Sequence, residues 1–267
     1  MRNKILTVLL ILSVLGNIYL AFLVLPEQKN LQELQRVAYL ESSLNSTQTG
    51  ILGYAELQAP AVMQKVQYTQ GYPFTRQQVV EEGSMLNISV EVRSGEGRVL
   101  VQTKPLMGTV FQDAANTAVY AAQNKAGMQL SNSDVIFSID SQKGIPSVDG
   151  PSAGALMTML VTSVLEKKEL KKDMTMTGTI DQHGHVGAIG GVVEKAKAAK
   201  ESGKTLFLLP KENSNLVQYV EKTRNIRGMT IIRQVPETTD ARQYIETNIG
   251  INVEYVDDID DIMKYAA

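Results

Sequence analysis

Cysteine is absent from the 267 residues, and histidine occurs only twice. The first absence excludes disulfides and thiol chemistry, and it leaves the compartment open. The two histidines, His183 and His185, flank one glycine in an expected hairpin turn. They come without a cysteine or an evident set of carboxylates, so we expect no metal site. Lys and Arg number 26 against 28 Asp and Glu, and without a basic surplus we expect no nucleic-acid partner.

A complete phosphate-binding loop is also missing. Segment 203–205, Gly-Lys-Thr, matches the end of such a loop, but the pattern needs a glycine five residues before Gly203, where the chain has Ala198. A helix is expected before this segment and a strand after it, which is the wrong order for a phosphate loop. We interpret Gly203 as the stop of a helix. We therefore expect no nucleotide or other cofactor, and no ATP hydrolysis by this chain.

One long uncharged run is present, at residues 5–25. About 20 apolar residues span a bilayer as a helix, so we predict a transmembrane anchor within residues 1–26. The alternative is a cleaved signal peptide followed by secretion, although such peptides have a shorter apolar region and a small-residue cleavage site. Arg2 and Lys4 precede the run, and the positive-inside rule then places the rest of the protein outside the cytoplasm. Residues 27–53 are expected to form a stalk or linker, and residues 54–267 the globular domain.

The most informative segment is 144–154, which ends in Asp-Gly-Pro-Ser-Ala-Gly. Proline is favoured at the first helical position, so Pro151 predicts that Ser152 lies in the first turn of a helix that runs to about Leu165. Backbone N–H groups in that turn have no helical partner and favour negative charge, which gives a nucleophile half of an oxyanion hole. The alternative is that Ser152 is only a helix cap or a small packing residue.

Segment 150–154 also fits Gly-x-Ser-x-Gly, the nucleophile elbow of α/β-hydrolases. That fold needs a strand that runs directly into the serine, and a distant histidine downstream. The best preceding strand, at residues 135–139, ends well before Ser152, and His183 and His185 follow too soon. The elbow is therefore the less favoured reading, and another base is needed.

A lysine motif supplies that base. Lys195 lies at the end of Gly-Gly-Val-Val-Glu-Lys, residues 190–195. At this spacing the serine and lysine motifs together resemble the proteolytic domain of Lon-type ATP-dependent proteases. Met-Thr-Gly at 176–178 and Leu-Phe-Leu-Leu-Pro at 206–210 extend the likeness, which is clear over residues 144–210 and weaker from 86 to 266. Full-length Lon proteases carry an ATPase module, and the sequence shows no motif for one.

The resemblance implies a Ser–Lys catalytic dyad. Ser152 would be the nucleophile and Lys195 the general base. Thr177 would orient the lysine amine, with an ordinary strand-forming role as its alternative. Asp149 matches an acid that contacts the lysine in some archaeal relatives, and the backbone N–H groups of Asp149 and Ser152 are the candidate oxyanion hole. An ionised Asp149 beside the amine would raise the lysine pKa, so this role is left open.

A lysine base must be neutral near pH 7, whereas the pKa of free lysine is about 10.4. Burial lowers a lysine pKa by up to about 3–5, so the site should be dry. Val192, Ala196 and Ala199 recur at helical spacing and supply an apolar stripe. Lys195 flanks the stripe on one side and Lys200 on the other, and the helical wheel does not choose between them. The spacing in the Lon family selects Lys195.

Strands alternate with helices along the domain, which predicts a layered α/β or α+β fold. The Lon-like resemblance implies the α+β class, with mixed sheets, the dyad in a surface cleft and a homo-oligomer, since such domains form rings. The expected strands are 61–68, 86–92, 98–102, 135–139, 175–180, 205–209 and 252–256, with a hairpin turn at 94–97. The expected helices are 109–125, the serine and lysine helices, and 259–266. Two further helix–strand passages are expected after residue 209, and residues 226–250 are a candidate insertion.

We therefore predict a membrane-anchored serine endopeptidase of the Lon type without its own ATPase. It would hydrolyse unfolded or membrane-proximal polypeptides through an acyl-enzyme on Ser152. The rival hypothesis is a non-catalytic, membrane-tethered scaffold that keeps the fold to bind peptides or an assembly partner. The presence of Ser152, Thr177 and Lys195 together favours the enzyme.

Overall fold

The computed structural model describes residues 51–70, 75–141, 147–226 and 229–266. They belong to one unit that begins at Ile51. The predicted anchor at residues 5–25 and most of the predicted stalk lie outside the described residues. Within the described ranges, no helix has the length and apolar character needed to cross a membrane.

Strands and helices alternate along most of this unit. The strands are β1 (Ile51–Gln70), β2 (Thr75–Ser94), β3 (Val99–Thr103), β4 (Leu106–Met107), β5 (Ser133–Asp140), β6 (Ser147–Val148), β7 (Met174–Met176), β8 (Thr179–Ile180), β9 (Val186–Gly187), β10 (Leu206–Pro210), β11 (Asn215–Ile226), β12 (Met229–Asp240) and β13 (Asn252–Val256). The α-helices are α1 (Thr109–Ala126), α2 (Gly154–Glu166), α3 (Val192–Glu201), α4 (Ala241–Asn248) and α5 (Ile259–Ala266). The mixed strand directions described below confirm the predicted mixed architecture of helices and sheets.

The first sheet has the strand order β1-β2-β5-β3. β1 and β2 form a long antiparallel hairpin, β5 runs antiparallel to β2, and β3 runs parallel to β5. Leu86, Ile88 and Val90 of β2 are buried, whereas Asn87 is exposed, as the alternation of side chains along a strand requires. The apolar face of this sheet packs against α2, whose residues from Gly154 to Leu165 are all buried.

The predicted hairpin turn at residues 94–97 is wrong, because β5 lies between β2 and β3. The segment is held by strand β5 and the turn before it rather than by β2–β3 pairing. The N–H groups of Glu96 and Arg98 donate to one carboxylate oxygen of Asp134, and the Arg98 guanidinium pairs with the other. These donors hold the pKa of the Asp134 carboxyl well below its usual range. Local turn propensity could not reveal this tertiary contact.

The second sheet is parallel, with the order β13-β10-β7. Its outer neighbours are α3 and α4, which contribute to a second apolar cluster with Phe207, Leu209 and Val253. β7 and β8 occupy the region predicted as one strand at 175–180. The Thr177 N–H still donates to the Leu208 carbonyl of β10, whereas the Gly178 N–H donates to the Ser152 carbonyl instead of a strand neighbour. The predicted single strand is therefore interrupted at Thr177 and Gly178, between β7 and β8.

The region after β10 also differs from the prediction. Instead of two helix–strand passages, the chain forms the antiparallel hairpin β11–β12, followed by one passage of α4 and β13. Val217 and Tyr219, two residues apart in β11, are both exposed, which is the spacing of side chains on one face of a strand. The hairpin begins at Asn215, before the candidate insertion at 226–250.

Candidate active site

Ser152 lies in a tight turn between β6 and α2. The helix begins at Gly154, so the prediction that Pro151 opens it was wrong by three residues. The Gly154 N–H donates to the Pro151 carbonyl at 3.0 Å, which closes a turn around Ser152. The Ser152 side chain is therefore placed just outside the helix, and it is partly exposed.

Lys195 lies in the first turns of α3, directed into the protein. Only 3% of the residue is exposed. Burial lowers the pKa of the Lys195 amine to about 8. Lys200, the alternative on the helical wheel, is exposed, and its ammonium donates to the Gly250 carbonyl near the end of α4. The structure thus buries the lysine that the family spacing selects.

Thr177 connects the lysine to the serine turn. The Lys195 Nζ donates to Thr177 Oγ1 at 3.1 Å, and this hydroxyl donates to the Ser152 carbonyl oxygen, also at 3.1 Å. The Gly178 N–H donates to the same carbonyl at 2.9 Å. The loop between β7 and β8 therefore fixes the amine and the serine backbone relative to each other.

Ser152 and Lys195 line one cavity of about 280 Å³. Its walls come from β1, the serine turn and the start of α3, and its lining residues are Ala61, Val62, Met63, Val148, Asp149, Pro151, Ser152, Gly190 and Lys195. No hydrogen bond joins the Ser152 hydroxyl to the Lys195 amine in the described part of the chain. Such contacts often tighten only when substrate binds.

The candidate oxyanion hole lies beside this cavity. Within the described ranges, neither the Asp149 N–H nor the Ser152 N–H donates a hydrogen bond. Both residues line the cavity. Two free backbone donors beside a nucleophile are the requirement for stabilising an oxyanion.

The Asp149 side chain serves another element. Its Oδ1 accepts from the Phe111 N–H at 3.2 Å and from the Gly150 N–H at 2.8 Å. Phe111 is in the first turn of α1. That turn contains no acidic residue, and the N-cap residue Gly108 has no side chain that could accept a hydrogen bond. Among the hydrogen bonds of the described residues, none joins Asp149 to Lys195. The carboxylate therefore caps α1 instead of contacting the amine, contrary to the role that archaeal relatives suggested.

The histidines lie elsewhere. His183 and His185 are exposed in the turn between β8 and β9, where both backbone N–H groups donate to Asp181. Neither is among the described residues that line the cavity. No group of three His, Cys, Asp or Glu side chains within the described ranges is arranged to hold a metal ion.

Sequence reasoning missed one wall of the site. Ala61, Val62 and Met63 belong to β1, about 90 residues before the serine. Their sequence predicts a strand and carries no sign of a catalytic neighbour. Gly191 packs closely against this strand, because a Cβ atom there would lie 2.4 Å from a methyl group of Val62.

The amino-acid sequence of the domain matches a known family. The family described as Lon protease (S16) C-terminal proteolytic domain matches residues 51–266. The chain belongs to this family. The match covers every described strand and helix, including the hairpin β11–β12.

Individual Lon proteases show the same similarity. The chain is 33% identical to the Lon protease of Dictyoglomus thermophilum over 135 residues, which are 49% of this chain and 17% of that protein. It is 34% identical to the Lon protease of Elusimicrobium minutum over 142 residues, 52% of this chain and 17% of that protein. With the Lon protease of Mycoplasma mycoides, the identity is 31% over 170 residues, 62% of this chain and 21% of that protein. The chain thus spans only about a fifth of the length of these curated relatives.

Proposed function

We propose that this protein is a serine endopeptidase that hydrolyses peptide bonds with a Ser152–Lys195 dyad. The observation that carries the proposal is the buried Lys195 amine, bonded to Thr177, on the wall of the cavity that also holds Ser152. Membership of the Lon protease proteolytic family supports a serine-type peptidase. A buried amine with a lowered pKa is what a general base for a hydroxyl requires.

The mechanism follows from these positions. Neutral Lys195 takes the proton of the Ser152 hydroxyl as its oxygen attacks the peptide carbonyl. The negative charge of the tetrahedral intermediate is stabilised by the N–H groups of Asp149 and Ser152. Protonated Lys195 then gives its proton to the leaving amine, and an ester of Ser152 remains. Water, deprotonated by Lys195, hydrolyses this ester and restores the enzyme. Thr177 holds the amine in place throughout.

The substrate is an extended polypeptide. β1 is an edge strand of the first sheet, and its residues at the cavity leave room for a peptide to pair with its backbone. A folded domain cannot present such a segment without unfolding. We further propose that the chain acts without ATP, since its sequence has no phosphate loop.

Substitution of the dyad tests this function. Ser152→Ala and Lys195→Ala should each abolish cleavage of β-casein by the full chain. Lys195→Arg should not restore it, because a guanidinium does not become a neutral base. Lys197→Ala, on an exposed face of the same helix, is the matched control and should retain activity. Labelling of Ser152 by a fluorophosphonate, mapped by peptide mass spectrometry, checks the nucleophile directly. Persistent cleavage by purified Ser152→Ala protein would exclude the dyad, whereas no cleavage by the wild-type protein would favour the non-catalytic scaffold.

Two further features remain proposals. Residues 5–25 tether the domain to a membrane and place it outside the cytoplasm, as their apolar length and the preceding positive charges suggest. Retention in the membrane fraction after carbonate extraction, and digestion by protease added to intact cells, test the tether and its orientation. The chain forms a homo-oligomer, which light scattering on the purified protein can measure.

A further inference from the structure

The hairpin β1–β2 extends past the active-site cavity. Residues Ala61, Val62 and Met63 of β1 line the cavity, and the strand continues to Gln70 with regular pairing to β2. The next residues, from Gln64 to Tyr68, are all exposed. The seven residues from Val62 to Tyr68 cover about 20 Å of strand. The site is therefore continuous with a long, exposed strand.

The outer edge of this strand can be identified from one hydrogen bond. The Thr175 hydroxyl donates to the Gln58 carbonyl at 2.6 Å, so the Gln58 backbone faces away from β2. In an antiparallel pair, the N–H and C=O groups of alternate residues point to the same side. Val62, Val66 and the other even-numbered residues therefore direct their backbone groups to the outer edge. Beyond the cavity, no described strand pairs with that edge.

The side chains along the same stretch are apolar and exposed. Val66 and Tyr68 lie on the face that carries Val62, and Val79 of β2 is directly opposite Val66. Their exposed fractions are 47%, 69% and 56%. Unpaired strand edges and exposed apolar side chains are both costly unless something binds there.

We propose that this stretch of β1, Val62 to Tyr68, binds the substrate polypeptide beyond the residues at the scissile bond. The substrate adds to the sheet as an extended strand, with its backbone paired to the edge of β1. Its apolar side chains contact Val66, Tyr68 and Val79. The occupant is a substrate because the surface continues without a break from the cavity wall. This inference rests on the proposed peptidase function and adds a preference for long, unfolded, apolar segments.

The test compares two peptides of different length with the full chain. Mass spectrometry of β-casein digests identifies one cleaved bond, and peptides of 6 and 20 residues are made around it. Val66→Pro removes one N–H from the outer edge, and Val66→Ser/Tyr68→Ser removes the apolar side chains. The matched control is Val217→Ser/Tyr219→Ser on the other hairpin, where the exposed fractions are 61% and 68%. Circular dichroism and thermal melting check the fold of each variant.

We expect the ratio of kcat/KM for the long peptide to that for the short peptide to fall at least tenfold in both β1 variants. The control should keep the wild-type ratio. An unchanged ratio in the β1 variants, or an equal fall in the control, overturns the inference. A loss of oligomer mass in light scattering, with an unchanged ratio, assigns the edge to a second copy and also overturns it.

A binding measurement separates this inference from the proposed function. The labelled 20-residue peptide is titrated with the full-length Ser152→Ala protein and its fluorescence anisotropy is followed. If wild-type protein cleaves no bond of β-casein, the peptidase proposal fails, and a labelled 20-residue apolar segment of β-casein takes the place of the peptide. A tenfold weaker Kd after adding Val66→Pro then still supports the binding strand. An unchanged Kd overturns it.

Discussion

Lys195 has an environment unlike the ordinary, solvated one of a lysine side chain. An amine that is almost fully buried loses hydration, and this cost falls on the charged form only. No carboxylate accepts from it in the described residues; its hydrogen-bond partner is the neutral Thr177 hydroxyl. The same burial that disfavours an ammonium ion thus produces a base that is partly neutral at physiological pH.

The pH dependence of cleavage should report this amine. Because the base form is the deprotonated one, kcat/KM should rise with pH and level off above the lowered pKa of about 8. About a tenth of the amine is neutral at pH 7 and about nine tenths at pH 9, so the rate should rise roughly tenfold between them. The profile is measured with the six-residue peptide. A rate that still climbs tenfold per pH unit above pH 9 would indicate an ordinary, solvated lysine.

Thr177→Val should reduce activity while keeping the shape of the residue. The substitution removes the hydroxyl that accepts from Lys195 and donates to the Ser152 carbonyl. Loss of one such hydrogen bond is worth about 1.4 kcal/mol, which is about tenfold in kcat. Thr177→Ser should restore most of the rate. Thr175→Val, which removes a buried hydroxyl bonded to Gln58, controls for a general effect on the strand; an equal loss there would deny Thr177 a specific role.

At the scale of elements, the site is assembled from helix and strand ends. Ser152 precedes α2, Lys195 follows the start of α3, and Thr177 lies in the gap between β7 and β8. The ends of helices and strands expose backbone N–H and C=O groups that would be paired inside a continuous element. The serine turn therefore has free N–H groups, and its carbonyl is available to hold the neighbouring loop.

The cap of α1 by Asp149 can be separated from any effect on Lys195. Asp149→Ala should lower the free energy of unfolding by about 1 kcal/mol, because the Phe111 N–H loses its acceptor. Asp149→Asn keeps an acceptor and should stay close to wild type in urea unfolding. If the carboxylate acted on Lys195, its loss would lower the lysine pKa and shift the midpoint of the pH–rate profile downwards. We expect no such shift for Asp149→Asn.

The start of α3 depends on Gly191. Its φ of 65° is in the left-handed region, and an added Cβ would lie 2.4 Å from a Val62 methyl group. Gly191→Ala should therefore destabilise the protein by more than the about 1–2 kcal/mol of backbone strain alone. It should also lower kcat/KM, because the Lys195 N–H donates to the Gly191 carbonyl. Gly127 has a similar φ of 63° but no atom close to an added Cβ, so Gly127→Ala is the matched control. Equal melting temperatures for the Gly191→Ala and Gly127→Ala proteins would refute the contact between Gly191 and β1.

At the scale of the whole molecule, the first sheet supplies one wall of the cavity, and the second sheet with its helices supplies the lysine. The two sheets meet where β7 lies beside β1. There the Thr175 hydroxyl of the second sheet donates to the Gln58 carbonyl of the first. The described residues include no ATPase module that could unfold a substrate. We therefore expect the stability of a polypeptide to decide whether it is cleaved.

Unfolded substrates should be degraded without ATP, and folded ones should resist. Unfolding a typical domain costs about 5–15 kcal/mol, so the fraction of molecules that are unfolded at equilibrium is negligible. The measurement uses one small disulfide-bonded protein in its native form and in its reduced, alkylated form, with and without ATP. We expect rapid cleavage of the alkylated form only, at a rate that ATP leaves unchanged. ATP hydrolysis by the purified chain, or ATP-dependent cleavage of the native form, would contradict this.

The sequence by itself determined the candidate serine and lysine and most element positions. Ser152 and Lys195 stand in short motifs, and their spacing along the chain is a property of the sequence. The strand within β5 and helix α1 follow from local apolar patterns, which do not depend on distant residues. The choice between Lys195 and Lys200 needed the spacing in related proteins, since both flank the same stripe.

Only the tertiary structure decided which partners meet. The insertion of β5 between β2 and β3, the break in the predicted strand at Thr177, and the use of Asp149 as a cap for α1 all depend on contacts between residues at least 25 positions apart. The wall formed by Val62 is of the same kind. Local patterns report which face of an element is buried but do not specify what covers it, and the chemistry of this site depends on what covers Lys195.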